Sequence, residues 1–163
     1  MAVTPLPFEL HQEIPLEGRA VNPSRYGRFV EMAAEVGLPF AAPERVPNTR
    51  RALATAEFVR RSHPWDVFDM LDRSLFAAYW AEGRDIGSAD VLDELVSAAG
   101  ADAAEVRAAV EGGTMRDDLI ASRNAALEAG VTGTPAWLLD GRFLIPGYQS
   151  VELFQHYLSR LID

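Results

Sequence analysis

The 163-residue chain contains no cysteine. Intrachain disulfides, thiolate metal sites and cysteine nucleophiles are therefore excluded for it. It has no Lys/Arg-rich run, and its net charge is -9 with a pI near 4.8. Nucleic-acid binders carry a basic patch or stripe, so neither nucleic acid nor an anionic membrane is expected as a partner. No apolar stretch approaches the ~18 residues of a spanning helix, and the opening Met-Ala-Val-Thr-Pro-Leu-Pro lacks a charged and then apolar leader pattern. The expectation from these absences is a cytoplasmic protein. Also missing are a Gly-rich phosphate loop, a Gly-x-Ser-x-Gly elbow and a His-Glu-x-x-His helix. No cofactor and no metal is called for.

What the chain does have is a globular balance: 48% apolar and 24% charged residues. That is enough for one compact core, with or without an insertion. Val3–Leu10 reads as a short strand interrupted by Pro5 and Pro7, hence an edge strand, followed by a Pro/Gly-rich loop over 13–23. A long helical block comes next. Tyr26, Phe29, Val30 and Ala33 share the 3.6 period, and Gly37 stops that helix. Asn48 suits the N-cap of a second helix, and Pro64 the first turn of a third whose stripe is Phe68, Leu71, Leu75 and Tyr79. Ser88 caps a fourth helix ended by Gly100, Asp102 and Glu105 form a capping box for a fifth, and Thr114 starts a sixth that ends at Gly130. Trp65, Phe68, Phe76, Tyr79 and Trp80 are read mainly as core.

The period then changes to two. Asp140-Gly141 lies between Trp137–Leu139 and Phe143–Ile145, a strong short hairpin signal. It predicts strands Trp137–Asp140 and Arg142–Ile145 around a two-residue turn. Ser150 caps a last helix with Phe154, Tyr157, Leu158 and Leu161 on one stripe. Strand, helical block, hairpin and helix, in that order, argue for an α/β (α+β) chain: a small sheet with a large all-helical insertion.

The stretch Gly130-Val-Thr-Gly-Thr-Pro135 carries the most chemistry. Proline cannot donate to a ladder, so it suits a strand start and leaves neighbouring backbone free. On local sequence alone a trans bond is expected, since about 5–6% of X–Pro bonds in folded proteins are cis. Other candidates have plainer readings. Glu9, His11 and Glu13 could meet on one face around a metal, against the bland alternative of a solvated segment end. His63 and His156 read as surface or satisfied helix positions. Asp117 and Asp118 complement a helix N-terminus.

Taken together, Pro7-Phe8-Glu9-Leu10 with Pro15 and Gly18, Asn48-x-x-x-Ala52, Leu75-Phe76, Glu82-Gly83-Arg84-Asp85-Ile86, Gly-Val-Thr-Gly-Thr-Pro, the hairpin, Gly147-Tyr-Gln149 and the final helix resemble the DsbA-like oxidoreductases. The FrnE type is the nearest in pattern, with likeness also to 2-hydroxychromene-2-carboxylate isomerases and kappa-class glutathione transferases. The resemblance implies a thioredoxin-like sheet part at 1–23 and 130–163, with a helical insertion at 24–129. It also implies a cis bond at Pro135 and a docking strip of Gly133, Thr134 and Pro135 for an extended peptide or glutathione. Against the family pattern, the chain starts at what would be the second strand, so the central strand and the Cys-x-x-Cys helix are expected to be missing. Three functional expectations follow. The first is a redox-inactive binding module. The second is an active oxidoreductase if a longer polypeptide supplies the cysteines. The third is a glutathione-dependent isomerase or transferase relative. No residue is assigned a catalytic role. A sheet edge left open in this way predicts a homodimer.

Overall fold

The computed structural model describes residues 3–162, with side chains through Arg160. Residues 1, 2 and 163, included in the sheet part expected above, and the side chain of Leu161 lie outside the described residues.

The centre of the chain is a helical body. Its helices are α1 (Gly27–Glu35), α2 (Arg50–Ser62), α3 (Trp65–Trp80), α4 (Ala89–Ala98), α5 (Ala103–Glu111) and α6 (Arg116–Glu128). Local chemistry sets their ends. Asn48 Oδ1 accepts the Arg50 N–H at 3.1 Å at the start of α2, and Asp102 accepts from the amides of Ala104 and Glu105 at the start of α5. Helix α6 starts at Arg116, two residues after the expected Thr114, following a Gly113 at φ 77°. The apolar stripes of α2 to α5 converge on one core that includes Ala52, Val59, Phe68, Leu71, Leu75, Leu92, Val96 and Val106. Val59 and Leu71 are wholly sealed from solvent. Burying a side chain of that size stabilises by about 1.5–3 kcal/mol. Met115 and Leu119 join Ala54 in a smaller cluster that ties α6 to α2.

Two parts of the expected core lie elsewhere. Phe29 and Val30 of α1 are exposed, as are Trp65 and Phe76 of α3, while only Phe68 of the α3 aromatics is fully buried. Periodicity finds the apolar face of a helix but not whether a neighbour covers it. Tyr26, by contrast, joins Phe40 and Trp80 in an aromatic cluster, with the Phe40 and Trp80 rings stacked at 5.4 Å.

Val3–Leu10 does not form a strand. Pro5 and Pro7 have no N–H to give a ladder, and side chains of α6 take up two of the carbonyls instead. Ser122 Oγ donates to the Pro7 carbonyl at 2.7 Å and Arg123 Nε to that of Glu9 at 3.2 Å. The first ladder falls later, in the stretch expected to be loop. Strand β1 (Arg19–Ala20) pairs antiparallel with β2 (Arg45–Val46). Gly18 makes this possible: its φ is +75°, and a Cβ there would sit 2.8 Å from the Val46 carbonyl oxygen.

The second ladder is the expected hairpin, shifted by one residue. Strands β3 (Ala136–Leu139) and β4 (Phe143–Pro146) pair from Ala136↔Pro146 to Leu139↔Phe143. Asp140 and Gly141 both have positive φ, 51° and 65°, and the Arg142 N–H closes the turn on the Leu139 carbonyl. Arg142 is the extra residue, so the paired ends are joined by Asp140, Gly141 and Arg142 rather than by a two-residue turn. Helix α7 (Val151–Ile162) follows, with the Leu153 N–H bonded to Ser150 Oγ as a cap. Among the described residues the sheets are these two antiparallel pairs. Also among them, no helix is long and apolar enough to cross a membrane.

Candidate functional site

The junction between α6 and β3 is fixed at both ends and open in the middle. At its start, Gly130 adopts φ 86° and the Val131 N–H returns to the Ala126 carbonyl at 2.9 Å, an αL helix ending that seats Val131 in the interior. At its end, the Pro135 carbonyl accepts the Gly147 N–H at 2.8 Å, which ties the strip to the far end of β4. Between these anchors Gly133 is half-buried while Thr132, Thr134 and Pro135 are exposed. The Thr134–Pro135 peptide bond is cis. Behind the strip, Trp137 packs edge-on against Phe154 of α7 with ring centroids 5.1 Å apart.

This geometry limits the chemistry. From Ala129 to Leu139 the chain carries no acid, base or thiol, only the hydroxyls of Thr132 and Thr134, backbone groups and apolar side chains. Such a strip can exchange hydrogen bonds with an extended ligand. It has no group for proton transfer and no thiolate for disulfide exchange.

The other candidates separate in space. Glu9 is buried, not solvated as a segment end would be. Its carboxylate takes Arg50 Nε at 3.0 Å and Nη2 at 2.9 Å. His11 Nδ1 lies 3.1 Å from Glu13 Oε1 on an exposed turn. Glu9, His11 and Glu13 are therefore not one ligand set, and among the described residues no three His, Asp or Glu side chains converge as a metal site requires. His63 bonds Ser62 Oγ at 2.9 Å, and His156 lies exposed beside Tyr157. Asp118, besides its place in the first turn of α6, reaches Arg61 of α2 at 2.9 Å.

Two features lie outside the expectations drawn from the sequence. One is Glu57, at 3% exposure, whose carboxylate is held by Arg60 Nε and Nη2 at 2.8 and 2.7 Å and by Arg61 Nε at 2.5 Å. Arg60 and Arg61 follow it at i+3 and i+4, a spacing that a search for helical ion pairs finds. The other is a cleft of about 340 Å³ beside the β1–β2 ladder, lined by Pro43, Arg45, Pro47, Tyr79 and Arg84 among others. Both of its arginines are engaged: Arg45 donates to the Glu17 carbonyl, and Arg84 pairs with Glu82 and Glu94. Burial pushes the Tyr79 hydroxyl up to about 12. At neutral pH it stays a proton donor, and it bonds the Arg45 carbonyl at 3.2 Å.

Known proteins share this architecture. The DSBA-like thioredoxin domain family matches residues 5–159. The chain superposes on a probable DsbA oxidoreductase of Streptomyces coelicolor with a TM-score of 0.80, at 22% identity, over 94% of this chain and 72% of that one. It superposes on a 2-hydroxychromene-2-carboxylate isomerase with a TM-score of 0.71, at 21% identity, over 85% of this chain and 66% of that one. In sequence it is 26% identical over 130 residues to the uncharacterized protein YwbO of Bacillus subtilis. That match takes in 79% of this chain and 62% of YwbO, so the chain spans less than two thirds of that relative's length.

Proposed function

Because this chain belongs to the DSBA-like thioredoxin domain family, we propose that it keeps the family's ligand-docking strip, Gly133–Thr134–Pro135, and works by non-covalent binding rather than by disulfide exchange. The observation that carries this reading is the combination of a DsbA-like scaffold, an exposed Thr134–Pro135 strip and no cysteine anywhere in the 163 residues. Disulfide exchange runs through thiolate attack and a mixed disulfide, and this chain has no sulfur able to make that attack. The backbone at Thr134 still offers hydrogen bonds to an extended peptide or to the peptide-like arms of glutathione. Trp137, two residues past Pro135 and half-exposed, supplies apolar contact beside it.

The test has two arms. In an insulin-reduction assay the chain is expected to give only the rate of dithiothreitol alone; a faster rate with cysteine-free protein preparations overturns the redox-inactive reading. In a titration with unfolded peptides and with glutathione, followed by tryptophan fluorescence, a saturable change is expected that Trp137→Phe abolishes. No response to either ligand at millimolar concentration overturns the docking reading.

A further inference from the structure

We propose that one water molecule is built into the helical body, bound by Arg107 Nε in the niche where α2, α4 and α5 meet, with Thr55 and the neighbouring carboxylates completing its shell. The starting point is a donor without an acceptor. Arg107 of α5 reaches α4 through Nη2, at 2.8 Å from Asp90 Oδ1 and 2.6 Å from Asp93 Oδ2. Its Nε is buried and has no hydrogen-bond partner among the described residues. Arg60 provides the contrast, since it gives Nε and Nη2 together to the single carboxylate of Glu57. A guanidinium N–H that gives up bulk water without gaining an acceptor is unfavourable.

The niche beside it has room for one acceptor. It is lined by Arg51 and Thr55 of α2, Leu92 and Asp93 of α4, and Arg107 and Glu111 of α5, among others. The space open to water there is about 10 Å³, at the lower end of the ~10–15 Å³ that a single molecule needs. A second water does not fit. Thr55 is 3% exposed, and a threonine hydroxyl both donates and accepts. Asp93 and Glu111 add acceptors for the water's own protons. Together with Arg107 they supply the two to four polar partners that hold an internal water in place.

The charges around the niche select water over other occupants. Arg51 and Arg107 repel a metal ion, while Asp93 and Glu111 repel an anion. An apolar group offers nothing to Nε. Water accepts from a cation and donates to a carboxylate at once, and a bridging water is nearly as good as a direct hydrogen bond. All of the lining residues fall within α2, α4 and α5, whose apolar faces share the main core. The water adds a polar tie between α5 and α2 to that packing.

NMR of the isotope-labelled chain tests the proposal, at mildly acidic pH where guanidinium protons exchange slowly. The Arg107 Nε–H signal is assigned by its loss in Arg107→Lys. That proton is expected to show a rotating-frame cross-peak to water of opposite sign to the diagonal, which marks proximity rather than proton exchange. The laboratory-frame effect is expected to be negative, as for a water that tumbles with the protein. Thr55→Val keeps the shape, removes the hydroxyl and is expected to weaken both cross-peaks. If that variant fails to fold, the cross-peaks of the unmodified chain decide. Unchanged intensities in a folded Thr55→Val overturn the place of Thr55 in the shell. The absence of both cross-peaks in the unmodified chain overturns the proposal as a whole. Glu111→Ala then tells what replaces the water: a shift of the Nε–H signal identifies the Glu111 carboxylate as the acceptor, and no shift identifies a dry niche.

Discussion

Replacing Glu57 with glutamine isolates an ionic cluster that joins α2 to α6. Glu57 is nearly inaccessible, and its carboxylate receives hydrogen bonds from Arg60 and Arg61, the second of which continues to Asp118 at 2.9 Å. Burial pushes the carboxyl up, but the hydrogen bonds from Arg60 and Arg61 and their two positive charges together outweigh it and hold it below its ordinary 4.5. Glutamine keeps the shape, removes the charge and turns an amide NH2 toward the guanidinium groups. Breaking a fully buried ion pair costs about 3–5 kcal/mol. Here Arg61 is half exposed and can turn to water, so the loss is smaller, about 2 kcal/mol, close to that of one hydrogen bond to a charged group. For a chain of this size that corresponds to a fall in Tm of about 4–8 °C. The dependence on pH distinguishes the charge from the shape. A carboxyl with a depressed folded pKa contributes stability that is fully present above its unfolded value of 4.5 and is lost as pH falls through the folded value. Urea unfolding of both proteins, followed by circular dichroism, is therefore expected to give a constant gap at neutral pH that closes below pH 4.5. Equal midpoints at pH 7, or a gap that does not change on acidification, would refute the reasoning.

Two further outcomes can be checked without a ligand. Asn48→Ala removes a buried amide that donates to the Ile14 carbonyl at 2.7 Å and also accepts the Arg50 N–H. A loss of about 1–3 kcal/mol is expected from the carbonyl left unpaired, with faster hydrogen exchange in the Glu9–Gly18 segment; unchanged stability would mean that water replaces the amide. In a spectrophotometric titration one tyrosine is expected to ionise only near 12, and Tyr79→Phe to remove that step. Since burial raises the folded value above 10, the stability Tyr79 contributes is complete below pH 10 and lost as pH rises toward 12. A titration in which Tyr79→Phe removes no late step would refute the assignment.

The helices were legible because their signals are local. Asp102 caps α5 and Ser150 caps α7 through bonds spanning two or three residues, and the apolar stripes of α2, α3 and α4 repeat at 3.6 whatever lies opposite. The Asp140-Gly141 turn was legible for the same reason. Its register was not, because Arg142 as an extra residue depends on how the two strands settle against each other and against α7. The Gly133–Pro135 strip was located by sequence resemblance, since nothing in its local propensities separates it from an ordinary strand start.

Composition by itself determined one thing outright: a chain without cysteine has no thiolate, whatever its fold. Patterning determined the helices, the hairpin and their order along the chain. Tertiary structure decided what depends on partners. Val3–Leu10 has the composition of a strand, but a strand exists only where another backbone meets it, and here side chains of α6 take its carbonyls. Glu9 reads as a surface acid until Arg50, distant in sequence, encloses it. Phe76 and Phe68 lie on the same helix with the same hydrophobicity, and one is buried while the other is exposed. Which of them is covered is a property of the neighbouring helices, and no periodicity within α3 contains it.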